Sequence, residues 1–131
     1  EVVRDLDRIF KECDYVSLHC PNTPVTKNLV NKERLAMMKP TAFLINTARG
    51  GCVDETALYE ACRDGIIAGA GLDAIQKEPV DPKNPLLTLD NVIITPHIGM
   101  YSKEAIGAVS LICAQNVAAC AAGAELKFQV V

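Results

Sequence analysis

Four short runs of apolar residues recur along the chain at intervals of about 25 residues, and segments with helical periodicity lie between them. The runs are YVSLH (15–19), AFLIN (42–46), IIAGAGL (66–72) and VIIT (92–95). Because each run is apolar at both alternations, we expect strands that are buried on both faces, as in parallel sheets covered by helices. Strands that alternate with helices predict an α/β fold with right-handed crossovers.

Capping residues indicate where the helices between these strands begin and end. Asn31 is predicted to cap a helix that runs to Met38, and Asp54 to cap a second helix with Gly65 at its C-terminal end. A long helix is predicted from about residue 102 to residue 122. The first two helices would connect successive strands, and the third follows the last strand.

Composition limits the classes of function. The 131 residues are half apolar, enough for one domain with a core, and the net charge of -3 comes without a basic cluster, so we expect no nucleic-acid partner. The six cysteines form no C-x-x-C pair, which favours reduced thiols in a cytoplasmic protein. Adjacent strand residues such as His19 and Cys20 point to opposite faces, so we expect no metal site.

The segment AIGAVSLICAQNVAACAAGA (105–124) holds twenty residues without a charge, which is long enough to span a membrane. However, it is rich in alanine rather than leucine and carries Ser110, Gln115 and Asn116, so insertion would gain little. We therefore predict a helix that packs on two sides and no membrane partner.

Polar residues follow each apolar run. In an open parallel sheet, ligands bind beyond the carboxyl ends of the strands, and the polar residues Asn46 to Arg49, Asp73 and His97 would all lie there. Glu78 follows Asp73 closely enough to fold back over the same edge. The arrangement predicts a single site.

Each of these residues, taken alone, has a simpler structural explanation. An isolated Arg49 is most simply a surface residue, and a lone Asp73 at a strand end most often caps a loop. His97 would be a structural histidine and Glu78 a solvated loop residue. The joint placement of four ionisable side chains at one edge is what favours a site over these alternatives.

The residue types indicate the chemistry. A guanidinium binds a carboxylate through two parallel hydrogen bonds, so Arg49 suits an acid substrate. Histidine is the residue type that can give or take a proton near neutral pH, which suits His97 to acid–base chemistry, and we expect Glu78 beside it to favour the imidazolium form. These groups predict proton transfer at the carbinol or carbonyl of a small organic acid.

Four motifs occur in a fixed order along the chain. They are DYVSLHCPNTPVTKNLVN (14–31), MKPTAFLINTARGGCVDETAL (38–58), GAGLDAIQKEPV (69–80) and NVIITPHIG (91–99). Together they resemble the D-isomer-specific 2-hydroxyacid dehydrogenases. The resemblance implies a parallel-sheet, Rossmann-like fold, in which residues 1–131 are the second half of a dinucleotide-binding domain within a longer, two-domain protein.

The resemblance also implies an activity: hydride transfer between NAD(H), with NADP left open, and a small 2-keto or 2-hydroxy acid. In that pattern Arg49 holds the substrate carboxylate, His97 is the acid/base and Glu78 is its partner. The cofactor-contact positions are Cys20, Pro21, Thr26, Thr47, Ala48 and Asp73. Cys52 stands where the family usually has an aliphatic residue, and a homodimer is implied.

One part of the family pattern is absent. Residues 69–74, GAGLDA, satisfy G-x-G-x-x-A, but they lie within and just past a predicted strand and lead into a proline-rich loop, so we reject them as a phosphate loop. The family layout places that loop and the substrate domain upstream of residue 1, and we expect the chain alone to be inactive. An alternative within the family is an NAD-sensing corepressor, in which partner binding outweighs turnover.

Overall fold

A computed structural model describes residues 2–126. The chain divides into two compact units, one ending at His97 and one beginning at Ile98. The helices and strands of the first unit are α1 (Leu6–Glu12), β1 (Tyr15–Leu18), α2 (Lys32–Met37), β2 (Phe43–Asn46), α3 (Glu55–Arg63), β3 (Gly69–Leu72) and β4 (Val92–Ile94), with short 3₁₀ helices at Gly50–Cys52 and Pro85–Thr88. The second unit contains α4 (Lys103–Ala121).

The four strands form one parallel sheet in the order β1-β2-β3-β4. Tyr15 is paired with Phe43, and Phe43 with Gly69, so the carboxyl ends of neighbouring strands lie side by side. The prediction of an α/β, Rossmann-like parallel sheet is confirmed. Because every crossover moves one strand in the same direction, right-handed connections place the connecting segments on one face of the sheet.

The helices α2 and α3 begin at the predicted capping residues. The Asn31 side chain accepts a hydrogen bond from Arg34 N, and Asp54 Oδ1 accepts from the backbone N–H groups of the first turn of α3. Gly65 has φ +68° after α3, the left-handed conformation that glycine adopts most easily at this position. The predicted helix ends are confirmed to within a residue or two.

The core lies on one face of the sheet. Val16, Leu44, Ala70 and Leu72 are buried against the helices, whereas side chains on the opposite face are open, with Tyr15 70% exposed. The prediction of strands buried on both faces is therefore wrong within the described residues. The reason is the one-directional crossover pattern, which places these connections on a single face.

The third apolar run, residues 66–72, forms a strand only in its second half. Ile66 N and Ile67 N both lie within hydrogen-bonding distance of Ala61 O, so these two residues complete the C-terminal turn of α3. The strand begins at Gly69. Ile67 is buried all the same, because the turn carries it into the core.

The helix of the second unit, α4, begins at the Ser102 cap, whose side chain accepts a hydrogen bond from Ala105 N. None of its residues is buried by the described part of this chain, so packing on two sides stays a prediction. By length and composition alone, α4 is also long and apolar enough to cross a membrane, with a mean hydropathy of 1.4. The absence of a membrane partner therefore remains a prediction from the sequence.

The importance of the core can be tested with two valines in the same connection between β1 and α2. Val30 is fully buried, and Val25 is 87% exposed. Val30→Ala is expected to lower the free energy of unfolding by about 1–3 kcal/mol, because it removes buried methyl groups and leaves a cavity. Val25→Ala should change it by less than about 0.5 kcal/mol. Urea unfolding followed by circular dichroism measures both, and equal effects would contradict this description of the core.

Candidate active site

The carboxyl ends of the four strands carry the predicted site residues. Cys20 lies two residues beyond the end of β1, Ala48 and Arg49 follow β2, Asp73 directly follows β3, and His97 lies three residues beyond β4. Since the strands are parallel and in register, these segments emerge at one edge of the sheet. This is the edge at which open α/β sheets bind ligands.

The buried amide of Asn46 connects two of these segments. Its Nδ2 donates to Arg49 O and to Ala74 O, both at 3.1 Å, and its Oδ1 accepts from Ala48 N at 3.1 Å. Asn46 is 1% exposed, so each of these bonds lies in a low-dielectric environment where an unpaired polar atom would be costly. Asn46 thus fixes the backbone that presents Arg49 and the residue after Asp73.

A close backbone approach brings a third segment to the same place. A Cβ added at Gly50 would lie 1.9 Å from the carbonyl carbon of Ile75, so glycine is required for the two backbones to pass. Ile75 N in turn donates to Glu78 Oε1 at 3.2 Å. The turn that contains Arg49 and the loop that contains Glu78 are therefore held against each other.

His97 and Glu78 form a pair across this edge. His97 Nδ1 lies 2.8 Å from Glu78 Oε2, and both side chains are about two-fifths exposed. Because an ionised carboxylate can only accept, Nδ1 carries the hydrogen and Nε2 is the ring atom left for a ligand. The hydrogen bond from His97 is the main cause that lowers the pKa of Glu78, helped by Ile75 N and by the charges of His97 and Arg49.

The backbone at His97 is unusual. Its φ of +54° lies in the left-handed region, which costs a residue other than glycine about 1–2 kcal/mol. His97 N also donates to Thr95 O at 2.9 Å, closing a tight turn around Pro96. Strain of this kind is frequent at functional sites, where it aims a side chain.

A cavity of about 600 Å³ lies beside this pair. Its wall includes Asp73, Glu78, Thr95 and His97 together with apolar side chains, namely those of Ile75, Pro79, Val80, Leu87, Ile94 and Pro96. Three of the four predicted ionisable residues thus share one cavity. Arg49 is not part of its wall, although its charge is near enough to Glu78 to affect the pKa of that carboxyl.

The cavity offers features that suit a nicotinamide ring. Thr95 Oγ1 donates to Asp73 Oδ1, which holds a carboxylate in the wall of an otherwise largely apolar space. A carboxylate accepts from an amide NH₂, and apolar walls accommodate a flat ring. The phosphates would need another site, since GAGLDA forms β3 and the turn after it and no helix begins there, as predicted.

The remaining cofactor-contact positions lie at the β1 and β2 ends of the same edge. Thr26 Oγ1 donates to Pro21 O, so Thr26 closes the loop that begins at Cys20. Thr47 is exposed and Ala48 is buried. Their roles toward a cofactor stay predictions. Among residues 2–126, no group of three or more metal-ligating side chains is assembled.

From the sequence, Asn46 was placed at this edge without an assigned role, and Thr95 was not singled out. Asn46 is the polar end of an otherwise apolar strand, and Thr95 follows the last apolar strand in the same way. In both cases the available signal was a polar side chain at the point where an apolar run ends. The bond from Asn46 to Ala74 O could not be identified from spacing, because Ala74 lies 28 residues away.

Known proteins share this fold and these motifs. Residues 1–99 match the family model described as the D-isomer specific 2-hydroxyacid dehydrogenase, NAD binding domain. D-3-phosphoglycerate dehydrogenase of Methanocaldococcus jannaschii is 48% identical over 118 residues, which are 89% of this chain and 22% of that protein. Glyoxylate reductase of Korarchaeum cryptofilum is 45% identical over 114 residues, 87% of this chain and 34% of that protein.

The crystal structure of D-lactate dehydrogenase with NAD+ from Lactobacillus jensenii superimposes with a TM-score of 0.88 at 36% identity, covering 97% of this chain and 42% of that one. The chain thus spans less than half the length of each of these relatives. The match in sequence and in structure covers the sheet and all of the motifs described above. The chain therefore belongs to the D-isomer-specific 2-hydroxyacid dehydrogenase family.

Proposed function

We propose that this chain is the part of an NAD-dependent 2-hydroxyacid dehydrogenase that carries the acid/base group and one half of the cofactor site. The observation that carries the proposal is the pairing of His97 Nδ1 with Glu78 Oε2 at the wall of the cavity that also contains Asp73. A bound NAD would supply or accept the hydride. The substrate would be a small 2-keto or 2-hydroxy acid.

His97 is suited to move a proton at the substrate oxygen. With Nδ1 directed to Glu78, Nε2 is the atom that would donate a proton to the carbonyl oxygen during reduction and accept it from the hydroxyl during oxidation. Glu78 accepts the hydrogen bond from Nδ1 and thereby fixes the orientation of the ring. Apolar side chains form most of the cavity wall beside the pair, which suits a bound ring.

Arg49 is suited to bind the substrate carboxylate. Nη1 of Arg49 donates to Ala48 O at 2.8 Å, which restrains the side chain, and a guanidinium has five N–H donors in all. The side chain is exposed at the carboxyl edge and its charge acts on Glu78. An acid held there would be oriented by two parallel hydrogen bonds.

Relatives named for phosphoglycerate, glyoxylate and lactate all match most of this chain, so the side chain of the acid is left open. We further propose that the full-length protein is a cytoplasmic homodimer and that residues 1–131 alone do not turn over substrate. The cofactor phosphates have no glycine-rich turn within the described residues.

The role of His97 can be tested against the one other histidine of the chain, His19. In the full-length protein, His97→Asn is expected to lower kcat for NADH oxidation by about 10²–10⁴-fold, because asparagine tolerates the positive φ but transfers no proton. His19→Asn, which removes a contact with Ser17 Oγ, should leave kcat within about twofold. The substrates to assay are pyruvate, hydroxypyruvate, glyoxylate and phosphohydroxypyruvate. An unchanged rate in His97→Asn would remove His97 from the mechanism, and negligible turnover by the wild-type protein would favour the corepressor alternative.

The role of Arg49 can be tested by Arg49→Lys, with Arg63→Lys as the matched control. Lysine keeps the charge but cannot form two parallel hydrogen bonds, so kcat/KM for the keto acid should fall by about 10–100-fold, with most of the loss in KM. Arg63 pairs with Asp64 on the surface, and its replacement should have little effect. Equal kcat/KM values for both variants would show that the carboxylate is bound elsewhere.

The hydrogen bond between His97 and Glu78 can be tested on the 131-residue chain without measuring turnover. His97→Ala is expected to raise the pKa of Glu78 toward its ordinary value of 4.5, because the hydrogen bond from His97 is the largest cause of the lowering. A ¹³C NMR titration of the Glu78 carboxyl measures this, with His19→Ala as the control. A Glu78 pKa that does not move would contradict the pairing.

The hydrogen bond between His97 and Glu78 also contributes to the stability of the fold, and the lowered pKa of Glu78 sets how that contribution depends on pH. Since ionised Glu78 is favoured in the folded chain, its contribution is fully present above about pH 4.5 and is lost as the pH falls through the folded-state pKa. The acid-side loss of stability should therefore be smaller in His97→Ala than in the wild-type chain.

A further inference from the structure

Two cysteines that are 32 positions apart in sequence meet at the edge of the candidate site. Cys20 Sγ and Cys52 Sγ lie 3.9 Å apart, and Cys52 Sγ also lies 3.9 Å from Cys20 O. Cys52 is fully buried, whereas Cys20 is partly exposed. All six cysteines of the chain are free thiols, and this is a pair that the proposed reaction does not use.

The backbone holds Cys52 more tightly than Cys20. Cys52 ends a 3₁₀ turn, its N–H donates to Arg49 O at 3.1 Å, and its carbonyl accepts from Val30 N at 3.0 Å. Cys20 lies in the irregular segment after β1. Disulfide formation requires the two sulfurs to approach to about 2.05 Å, and the irregular segment is the side that can provide that approach.

The two thiols differ in reactivity because their environments differ. Burial, together with the neighbouring Cys20, raises the pKa of Cys52, so Cys52 is a poor first nucleophile. Burial likewise raises the pKa of Cys62 to about 11. Cys20 has access to solvent and a second thiol in van der Waals contact, which is the arrangement of an attacking and a resolving cysteine.

We propose that Cys20 and Cys52 form a reversible disulfide on exposure to hydrogen peroxide, which makes the segment after β1 a site of oxidative modification. The Cys20 thiolate attacks one oxygen of the peroxide, the O–O bond breaks, and Cys20 sulfenic acid and hydroxide form. Cys52 sulfur then attacks the Cys20 sulfur, the S–O bond breaks, and water leaves with the proton of Cys52. In total, two thiols are oxidised by two electrons and one peroxide is reduced to two waters.

The bond would link the segment that contains Cys20 and Pro21 directly to the turn that follows Arg49. Asn22 already contacts that turn, because a Cβ added at Gly51 would lie 2.3 Å from Asn22 Nδ2. Any effect of the disulfide on cofactor binding rests on the function proposed above. The disulfide itself does not, so it can be tested on the chain without cofactor or substrate.

The test uses the 131-residue chain with Cys113→Ser and Cys120→Ser, which removes the two exposed thiols of α4 that could pair between molecules. The chain is treated with hydrogen peroxide, free thiols are blocked with N-ethylmaleimide, and peptides are identified by mass spectrometry. Digestion with trypsin and chymotrypsin cuts after Tyr15 and Tyr59, which separates Cys20 from Cys13 and Cys52 from Cys62.

The expected result is a Cys20–Cys52 cross-link at least about tenfold more abundant than any other pair, because neighbouring thiols react at a high effective concentration. Dithiothreitol should reverse it, and the preference should disappear in urea. Cys13 and Cys62 serve as internal controls in the same digest. A cross-link distributed equally among the cysteines, or oxidation of Cys20 to the sulfinic acid without any cross-link, would overturn the proposal.

Two variants identify the order of the steps. In Cys52→Val, which keeps an apolar side chain in the core, Cys20 should stop at the sulfenic acid and be trapped by dimedone. In Cys20→Ser, a change at a partly exposed position, Cys52 should stay reduced at the same peroxide concentration. Trapping of a sulfenic acid at Cys52 in Cys20→Ser, at the wild-type rate, would contradict the assignment of Cys20 as the attacking residue.

Discussion

The candidate site depends on the three hydrogen bonds of the buried Asn46 amide. Two of them hold the turn that follows β2, and the third connects the end of β2 to the segment after β3, which is distant in sequence. Within residues 2–126, no buried side-chain nitrogen or oxygen lacks a hydrogen-bond partner, and Asn46 is the most deeply buried polar residue. An apolar residue here would leave Ala48 N, Arg49 O and Ala74 O without these bonds, and such losses are costly in a dry core.

Two further features shape the same edge of the sheet. His97 has a left-handed backbone, and Gly50 has no side chain where the Ile75 backbone passes. Neither feature contributes to the hydrophobic core, which lies toward the helices. Their benefit is geometric, because one directs an imidazole at Glu78 and the other lets two loops meet at the sheet edge.

Helix ends were predictable because caps act locally: the Asn31 and Asp54 side chains bond to N–H groups two or three residues away. The meeting of Glu78 and His97, 19 residues apart, was predictable for a different reason, since parallel strands deliver their carboxyl ends to one edge. The uncovered face of the sheet was not predictable from the apolar runs, because an apolar side chain does not reveal which layer covers it. The position of Arg49 outside the cavity wall depends on its rotamer and its bond to Ala48 O, which residue order does not encode.

The close passage of Gly50 past Ile75 has an evolutionary consequence. A larger residue at position 50 would push on a backbone whose N–H donates to Glu78, so its effect would reach the hydrogen bond between Glu78 and His97 through two intervening contacts. Substitutions in the turn after β2 and in the loop after β3 are therefore epistatic. A change in one of these two segments would therefore be tolerated mainly together with a matching change in the other.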